Sequence, residues 1–363
     1  MSEDNHEIRD IQRYIRLPFA RDHWYVAGLA SEFGRDLVGR TLLERSIVFY
    51  RTEAGGLVAL QNRCLHRSYP LCESKLDGDD IVCGYHGIRY SPDGDVLDVP
   101  CQDGCPRNRL RKYPVREVGP FVFIWMGDPE AADDRLPDLG HLDEYAPMTI
   151  LGSNFVEGNY LLLQENLNDL THFSVLHAKT FGAGESPLGE GFMDLPTEYV
   201  ESDGVLGCYR QDERAERILP GYPPDVQERI GGRKIRNRNG GISFSPGVWL
   251  GENFTFVEAS ESRPAEAFRS HIDHYLTPET ATTTHYWWSV TSNFGDPAMN
   301  PIAKQALGAA FEEDVVAVRL MQDLLDKDRS DHDEMSVKGD KAGVQFRRKM
   351  LEWIQAESSE KGT

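Results

Sequence analysis

Apolar runs long enough to cross a membrane are missing from this 363-residue chain. A spanning helix needs about 20 consecutive apolar residues, and the longest dense run here, Phe121 to Met126, has the length of a strand. Positive charge is scarce. Thirty-nine Lys and Arg stand against 59 Asp and Glu, a formal charge of −20, and such a field repels phosphate backbones and anionic headgroups. The one cationic cluster, Arg233 to Arg238, is short and has no interleaved aromatics, so neither nucleic acid nor membrane is expected as a partner. The opening MSEDNHEIRD has neither the basic nor the apolar segment of a secretory leader, and a cytoplasmic location is the expectation. Cysteine is sparse, with six residues at 64, 72, 83, 101, 105 and 208. In a long chain of that compartment they read as metal ligands or thiols before disulfides. Internal repeats and low-complexity segments are also absent.

What remains is an ordinary globular composition, 40% hydrophobic, in a chain long enough for two domains. Residues 20 to 126 read as β-rich, with short apolar runs at Ser46 to Arg51, Gly56 to Gln61, Ile81 to Cys83 and Phe121 to Met126. Asp77-Gly78 and Asp93-Gly94 are hairpin signals between such runs. The acidic, proline-containing stretch 127–150 reads as a connector, and 151–363 as a second domain on which the segment 1–19 packs. In that second domain Tyr160 to His177 is helix-like, and residues 195 to 290 alternate as an antiparallel sheet does. Leu276 to Trp288 has the Thr and aromatic content of a strand. Pro301 to Asp326 and Lys341 to Glu357 read as helices. The fold class is therefore α+β.

Two loops carry chemistry. The first reads Cys64-Leu65-His66; sixteen residues later the second reads Cys83-Gly84-Tyr85-His86-Gly87. Each offers one thiolate and one imidazole, so each can donate one ligand to each iron of a [2Fe–2S] cluster in which two His replace two Cys, the Rieske arrangement. A structural zinc site is the competing reading, but zinc loops usually pair Cys with Cys and His with His. Gly84 and Gly87 let the backbone turn close to the cluster and aim N–H groups at sulfur. Cys72, Cys101, Cys105 and Cys208 have no partner motif and read as buried or surface thiols.

A second constellation lies at Glu165 to His177, ENLNDLTHFSVLH. Asp169 and His172 are three apart and share a helical face. His172 and His177 are five apart, on different faces of an ideal helix, and can reach one metal only where the helix widens or ends; core or solvated histidines are the alternative. In the helix after Pro301, Leu307, Phe311, Asp314, Val318, Met321 and Leu325 recur at four and three residues and form a buried stripe with one acid in it. A carboxylate facing a core needs a partner, whether a salt bridge or a metal. Two His and one carboxylate make the facial triad that leaves open positions on Fe(II). Glu312 and Glu313 fall off the stripe and read as surface charge. The pocket is expected near Ile242 to Leu250 and Ile272 to Trp288, where His274, His285, Trp287 and Trp288 are candidates for lining or structural roles.

With these motifs in order, C-x-H-x₁₆-C-x-x-H, then N-x-x-D-x-x-H-x₄-H, then an Asp-bearing helix, the chain resembles the Rieske non-haem iron aromatic-ring-hydroxylating oxygenases over nearly its whole length. It is most similar to the vanillate and dicamba O-demethylase type. The resemblance implies a β-rich Rieske domain and a helix-grip catalytic domain. It implies a cluster on Cys64, His66, Cys83 and His86, and a mononuclear iron on His172, His177 and Asp314. Asp169 corresponds to a bridge between the two centres, and Asn166 to a residue near the iron. O₂ is the implied co-substrate and NAD(P)H the electron source, through a ferredoxin or flavin reductase, with a homotrimer as the assembly. The expected reaction is oxidative O- or N-dealkylation of a small aromatic compound. Ring dihydroxylation to a cis-diol and, outside enzymes, a Rieske electron carrier are the alternatives.

Overall fold

The computed structural model describes residues 10–180, 197–202, 205–212, 223–330 and 334–360; the first nine residues of the N-terminal segment and the last three of the chain lie outside these. The chain divides into two compact units. The smaller is 21–136 with 277–280, and the larger holds the rest.

The smaller unit is built mainly of short strands. β1 (Trp24–Leu29), β2 (Val38–Leu42), β3 (Arg45–Arg51), β4 (Leu57–Gln61), β5 (Lys75–Asp77), β6 (Asp80–Val82), β7 (Arg89–Tyr90), β8 (Val96–Asp98), β9 (Val115–Val118) and β10 (Phe121–Trp125) form three small sheets, ordered β1-β10-β9, β2-β3-β4 and β5-β6-β7-β8. β5 and β6 close at Gly78, whose φ of +59° suits the turn read from Asp77-Gly78. β2 and β3 close through Leu43 and Glu44 at φ +48° and +62°, a turn with none of the usual turn residues. A core of Val48, Tyr50, Leu60, Ile81, Tyr90 and Leu110 lies under the two Cys/His loops.

Those loops are built alike. Cys64 N–H donates to Tyr69 O at 2.9 Å and Ser68 N–H to Cys64 O at 3.0 Å; Cys83 N–H donates to Ile88 O at 2.9 Å and Gly87 N–H to Cys83 O at 3.0 Å. The fifth residue of each turn has positive φ, +58° at Ser68 and +75° at Gly87. Gly84 serves differently, since a Cβ there would lie 3.2 Å from Glu73 O.

In the larger unit, a seven-stranded antiparallel sheet runs β11-β17-β16-β15-β14-β13-β12. Its strands are β11 (Ile150–Val156), β12 (Thr197–Ser202), β13 (Val205–Asp212), β14 (Ile235–Ser245), β15 (Val248–Val257), β16 (Glu266–Thr280) and β17 (Thr283–Ser292). The stretch Leu276 to Trp288 is thus a hairpin, ending β16 and opening β17, rather than one strand. The helices are α1 (Ile11–Tyr14), α2 (Gly140–Glu144), α3 (Tyr160–Asn168), α4 (Pro224–Ile230), α5 (Asn300–Lys327) and α6 (Lys341–Glu360). One face of the sheet contributes Trp249, Leu276, Tyr286 and Trp288 to a core completed by Leu163 of α3, Phe311 and Val318 of α5, Phe346 of α6 and Tyr14 of α1. On α5 the buried line is Phe311, Asp314, Val315, Val318 and Gln322. Met321 is 42% exposed, because a 3.6-residue helix drifts away from a strict four-three repeat. Gln322 takes its place and accepts Asn159 N–H at 3.0 Å.

The paired loops differ at one position in a way that can be measured. A left-handed residue with a Cβ costs about 1–2 kcal/mol, and at Gly87 the Cβ would also meet Pro100 at 3.3 Å. Gly87→Ala should lower the unfolding free energy of the intact protein by about 1–2 kcal/mol, read as a lower denaturant midpoint. Ser68→Gly should leave it unchanged or raise it. Equal midpoints for Gly87→Ala and the parent would contradict the paired-turn geometry.

Candidate functional site

In the smaller unit, Cys64 and Cys83 are buried, 3% and 2% exposed, while His66 and His86 stand at the surface with ring centroids 4.6 Å apart. Two thiols point inward and two imidazoles sit side by side at the rim, a donor set that fits a Rieske cluster. Burial pushes the Cys83 thiol above its ordinary range, and the backbone N–H groups of Tyr85 and His86, aimed at its sulfur, oppose that. Tyr90 lies beneath. Its hydroxyl accepts Leu65 N–H at 3.1 Å and lies 3.2 Å from Cys64 Sγ; a cluster-bound thiolate can only accept, so with the cluster in place the hydroxyl would donate to the sulfur. Cys72 pairs with the Asn62 side chain. Cys101 and Cys105 are exposed, and Cys208 is buried in the other unit. None of these four joins a group of metal donors among the described residues.

In the larger unit the decisive feature is a break. Helix α3 stops at Asn168, and Asp169 is extended, at φ −117° and ψ 93°. Its carboxylate caps the 3₁₀ turn Leu170–Ser174, one oxygen accepting Thr171 N–H and the other the Thr171 hydroxyl, both at 2.9 Å. The chain leaves the line of the helix, and the His172 and His177 rings come to 5.1 Å. Asp314, 4% exposed, faces both. Its Oδ1 is 3.6 Å from His172 Nε2 and 3.3 Å from His177 Nε2. Among the described residues, these three form the group whose donor atoms all lie within 4.8 Å of one another.

The two imidazoles have different surroundings. His172 Nδ1 meets the main-chain carbonyl of Asp169, not the carboxylate, which Thr171 holds. Glu313 is not idle surface charge: its Oε2 lies 2.9 Å from His177 Nδ1 and accepts the Thr180 hydroxyl at 2.7 Å. Asn166 lies against the Asp314 carboxylate. Its amide N–H donates to Asp314 Oδ1 at 2.9 Å, and its own Oδ1 is buried without a hydrogen-bond partner. A lone buried carboxylate with two imidazole Nε2 atoms and an orphaned amide oxygen around it fits a bound cation. Burial draws His172 below the usual imidazole range, against Asp314. Burial also opposes charge on His177, but Asp314 and Glu313 outweigh it and the net shift is upward.

Alternation along β17 separates the aromatic candidates. Tyr286 and Trp288 face the core, where Trp288 lies 5.0 Å from the Phe311 ring. His285 and Trp287 stack on each other, with Phe155 against His285, on the opposite face. His274 faces inward. Burial drops its pKa to about 3, with Asp314 opposing, so it stays neutral. Its Nδ1 lies 2.6 Å from the Tyr286 hydroxyl, and Trp249 and Phe311 flank its ring at 5.3 Å.

A β-rich unit with paired Cys/His loops and a sheet-and-helix unit with a two-His, one-carboxylate centre define an oxygenase with two iron centres, and comparison with known proteins agrees. Residues 23–114 match the Rieske [2Fe–2S] domain, and residues 156–356 match the vanillate O-demethylase oxygenase C-terminal domain. The iron–sulfur subunit of the toluene-4-sulfonate monooxygenase system of Comamonas testosteroni is 32% identical over 85% of this chain and 89% of its own. The oxygenase component of dicamba O-demethylase from Stenotrophomonas maltophilia is 30% identical over 84% and 89%. That of chloroacetanilide N-alkylformylase from Rhizorhabdus wittichii is 28% identical over 94% and 98%. The crystal structure of dicamba monooxygenase bound to dicamba superposes with a TM-score of 0.78 at 27% identity, covering 94% of this chain and 100% of that one. The chain belongs to the Rieske non-haem iron oxygenases, as an oxygenase component of the vanillate O-demethylase type. Its cofactors are accordingly a Rieske [2Fe–2S] cluster and a mononuclear iron, and separate electron-transfer partners serve it. Among the described residues no helix is long and apolar enough to cross a membrane.

Tyr90 generates a test within the smaller unit. A hydrogen bond to a cluster sulfur favours the reduced, more electron-rich state. If it is worth about 1 kcal/mol in that state, it raises a one-electron potential by about 40 mV. Tyr90→Phe should lower the cluster's potential by that order in a spectroelectrochemical titration; an unchanged potential would show that the hydroxyl proton points elsewhere.

Proposed function

We propose that this oxygenase removes an alkyl group from a small aromatic compound by hydroxylating its O- or N-alkyl carbon. The observation that carries the reading is the inward face of the larger unit. Trp249, Tyr286, Trp288 and Phe311 supply flat apolar walls, and one neutral imidazole, His274, stands among them near Asp314. Such a lining would stack an aromatic ring and exclude water, and the hydrogen-bonded His274–Tyr286 pair would orient a polar substituent. Relatives named dicamba O-demethylase and chloroacetanilide N-alkylformylase support the choice of reaction.

Cys64 and Cys83 hold one cluster iron and His66 and His86 the other; His172, His177 and Asp314 hold the mononuclear iron. When bound, these groups supply single electrons and an open-sided site for O₂. In balance, a methoxyarene, O₂, two electrons and two protons give a phenol, formaldehyde and water. The chain's own residues do the rest: Asn166 fixes Asp314, Thr171 fixes the Asp169 carboxylate, and the aromatic walls place the alkyl carbon. Residues 20–126 make the cluster domain, 127–150 a connector and 151–363 the catalytic domain. Electrons come from NAD(P)H through a ferredoxin or flavin reductase in the cytoplasm. In a homotrimer, Asp169 of one subunit meets His66 or His86 of the next, a heterologous contact that closes into a ring.

The reaction is tested with the reconstituted enzyme, a reductase and a panel of methoxy- and N-alkyl-arenes. Formaldehyde, or the corresponding aldehyde, should form in step with the dealkylated arene. Asp314→Ala should form none, yet keep the cluster spectrum and about two of about three irons per chain. A cis-dihydrodiol without aldehyde would replace dealkylation with ring dihydroxylation, and retention of the third iron by Asp314→Ala would remove Asp314 from the ligand set.

A further inference from the structure

We infer that Glu313 is a positioning residue of the mononuclear centre, setting the tautomer and donor strength of His177 and supplying the second negative charge beside a divalent ion. This rests on the ligand set proposed above.

Glu313 precedes Asp314 by one residue and so points about 100° away from it around α5. On the helix alone that direction is off the buried stripe. The break at Asp169 changes what lies there: the turn that follows carries His177, 1% exposed, and Thr180 to the flank of α5. One oxygen of Glu313 then accepts from two groups, His177 Nδ1 at 2.9 Å and the Thr180 hydroxyl at 2.7 Å. A carboxylate can only accept, so Nδ1 carries the proton and Nε2 presents a lone pair. That Nε2 is the atom facing Asp314 Oδ1 at 3.3 Å. Thr180 holds the carboxylate in place from a second direction, and the Glu313 side chain is only 24% exposed, so the contact is partly shielded from solvent.

The two imidazoles are therefore supported unequally. His172 is backed by the neutral main-chain carbonyl of Asp169 and His177 by a carboxylate. A carboxylate pulling on Nδ1–H pushes electron density toward Nε2 and makes that imidazole the stronger donor. It also balances charge: Asp314 and Glu313 together bring two negative charges to a divalent ion in a buried site, where Asp314 alone would leave a net positive centre.

The test uses the full chain with its cluster intact, freed of mononuclear metal and titrated anaerobically with Co(II). The cluster absorption together with a cooperative melt followed by circular dichroism reports that both units of each variant are folded. Glu313→Ala should weaken Co(II) binding by about 10- to 100-fold, the usual span for loss of an outer partner of a ligating His. Glu313→Gln keeps an acceptor oxygen of the same reach but not the charge, and should lose at least about tenfold. Glu312→Gln, one residue away and bonded to Asn154, should bind as the parent does. At saturating Co(II) the ligand-field bands of Glu313→Ala should also shift, which loss of fold stability alone would not cause. If both Glu313 variants bind and absorb like the parent, the positioning role is overturned while the ligand set stands. If His177→Ala binds Co(II) like the parent, the ligand set fails, and the role of Glu313 fails with it.

Discussion

Helix α3 ends at Asn168 because Asp169 leaves the helical region and turns its carboxylate onto the N–H and hydroxyl of Thr171. Capping by Asp competes with helix continuation at little cost, since the carboxylate satisfies a donor that the new turn would otherwise orphan. Without that stop, His172 and His177 would leave an unbroken helix about 140° apart. With it, both Nε2 atoms reach one carboxylate oxygen. The same stop places the Asp169 carbonyl against His172 Nδ1 and carries His177 and Thr180 to Glu313. The geometry of the catalytic unit hangs on where one helix is told to end.

The second constraint is electrostatic. Isolating a carboxylate in a core costs several kcal/mol unless it is compensated, and Asp314 sits between Phe311 and Val318 on the buried face of a long helix. Asn166 gives it one hydrogen bond, and two imidazoles present nitrogen rather than charge. A cation would complete this arrangement. The paired Cys/His loops solve a different problem by repetition: one backbone turn is used twice, each with a left-handed fifth residue, so that two donors of each kind converge.

Much of this was legible in the sequence, for physical reasons that also mark the limit. Cys64, His66, Cys83 and His86 could be read because ligand type and spacing sit within single short loops. Asp314 could be read because a lone acid on a periodic apolar stripe needs a partner. Glu313 could not: its role depends on what a distant turn places beside the helix, and the helix period alone assigns it to solvent. The Leu43-Glu44 turn was hidden because neither residue favours positive φ. Leu276 to Trp288 concealed a hairpin because strand-forming residues continue through the bend. Met321 was placed inside by a repeat that α5 does not keep over four turns. Which of His274, His285, Trp287 and Trp288 face the core follows from sheet register, which alternation alone leaves open by one residue.

The central claim is that one chain holds two chemically distinct iron centres. The most direct measurement is the iron and acid-labile sulfide content per chain of protein produced anaerobically with ample iron, set beside its absorption and EPR spectra. About three irons and about two sulfides, with a Rieske signature, are predicted. Zinc in the Cys/His loops, or about two irons with none outside the cluster, would contradict it.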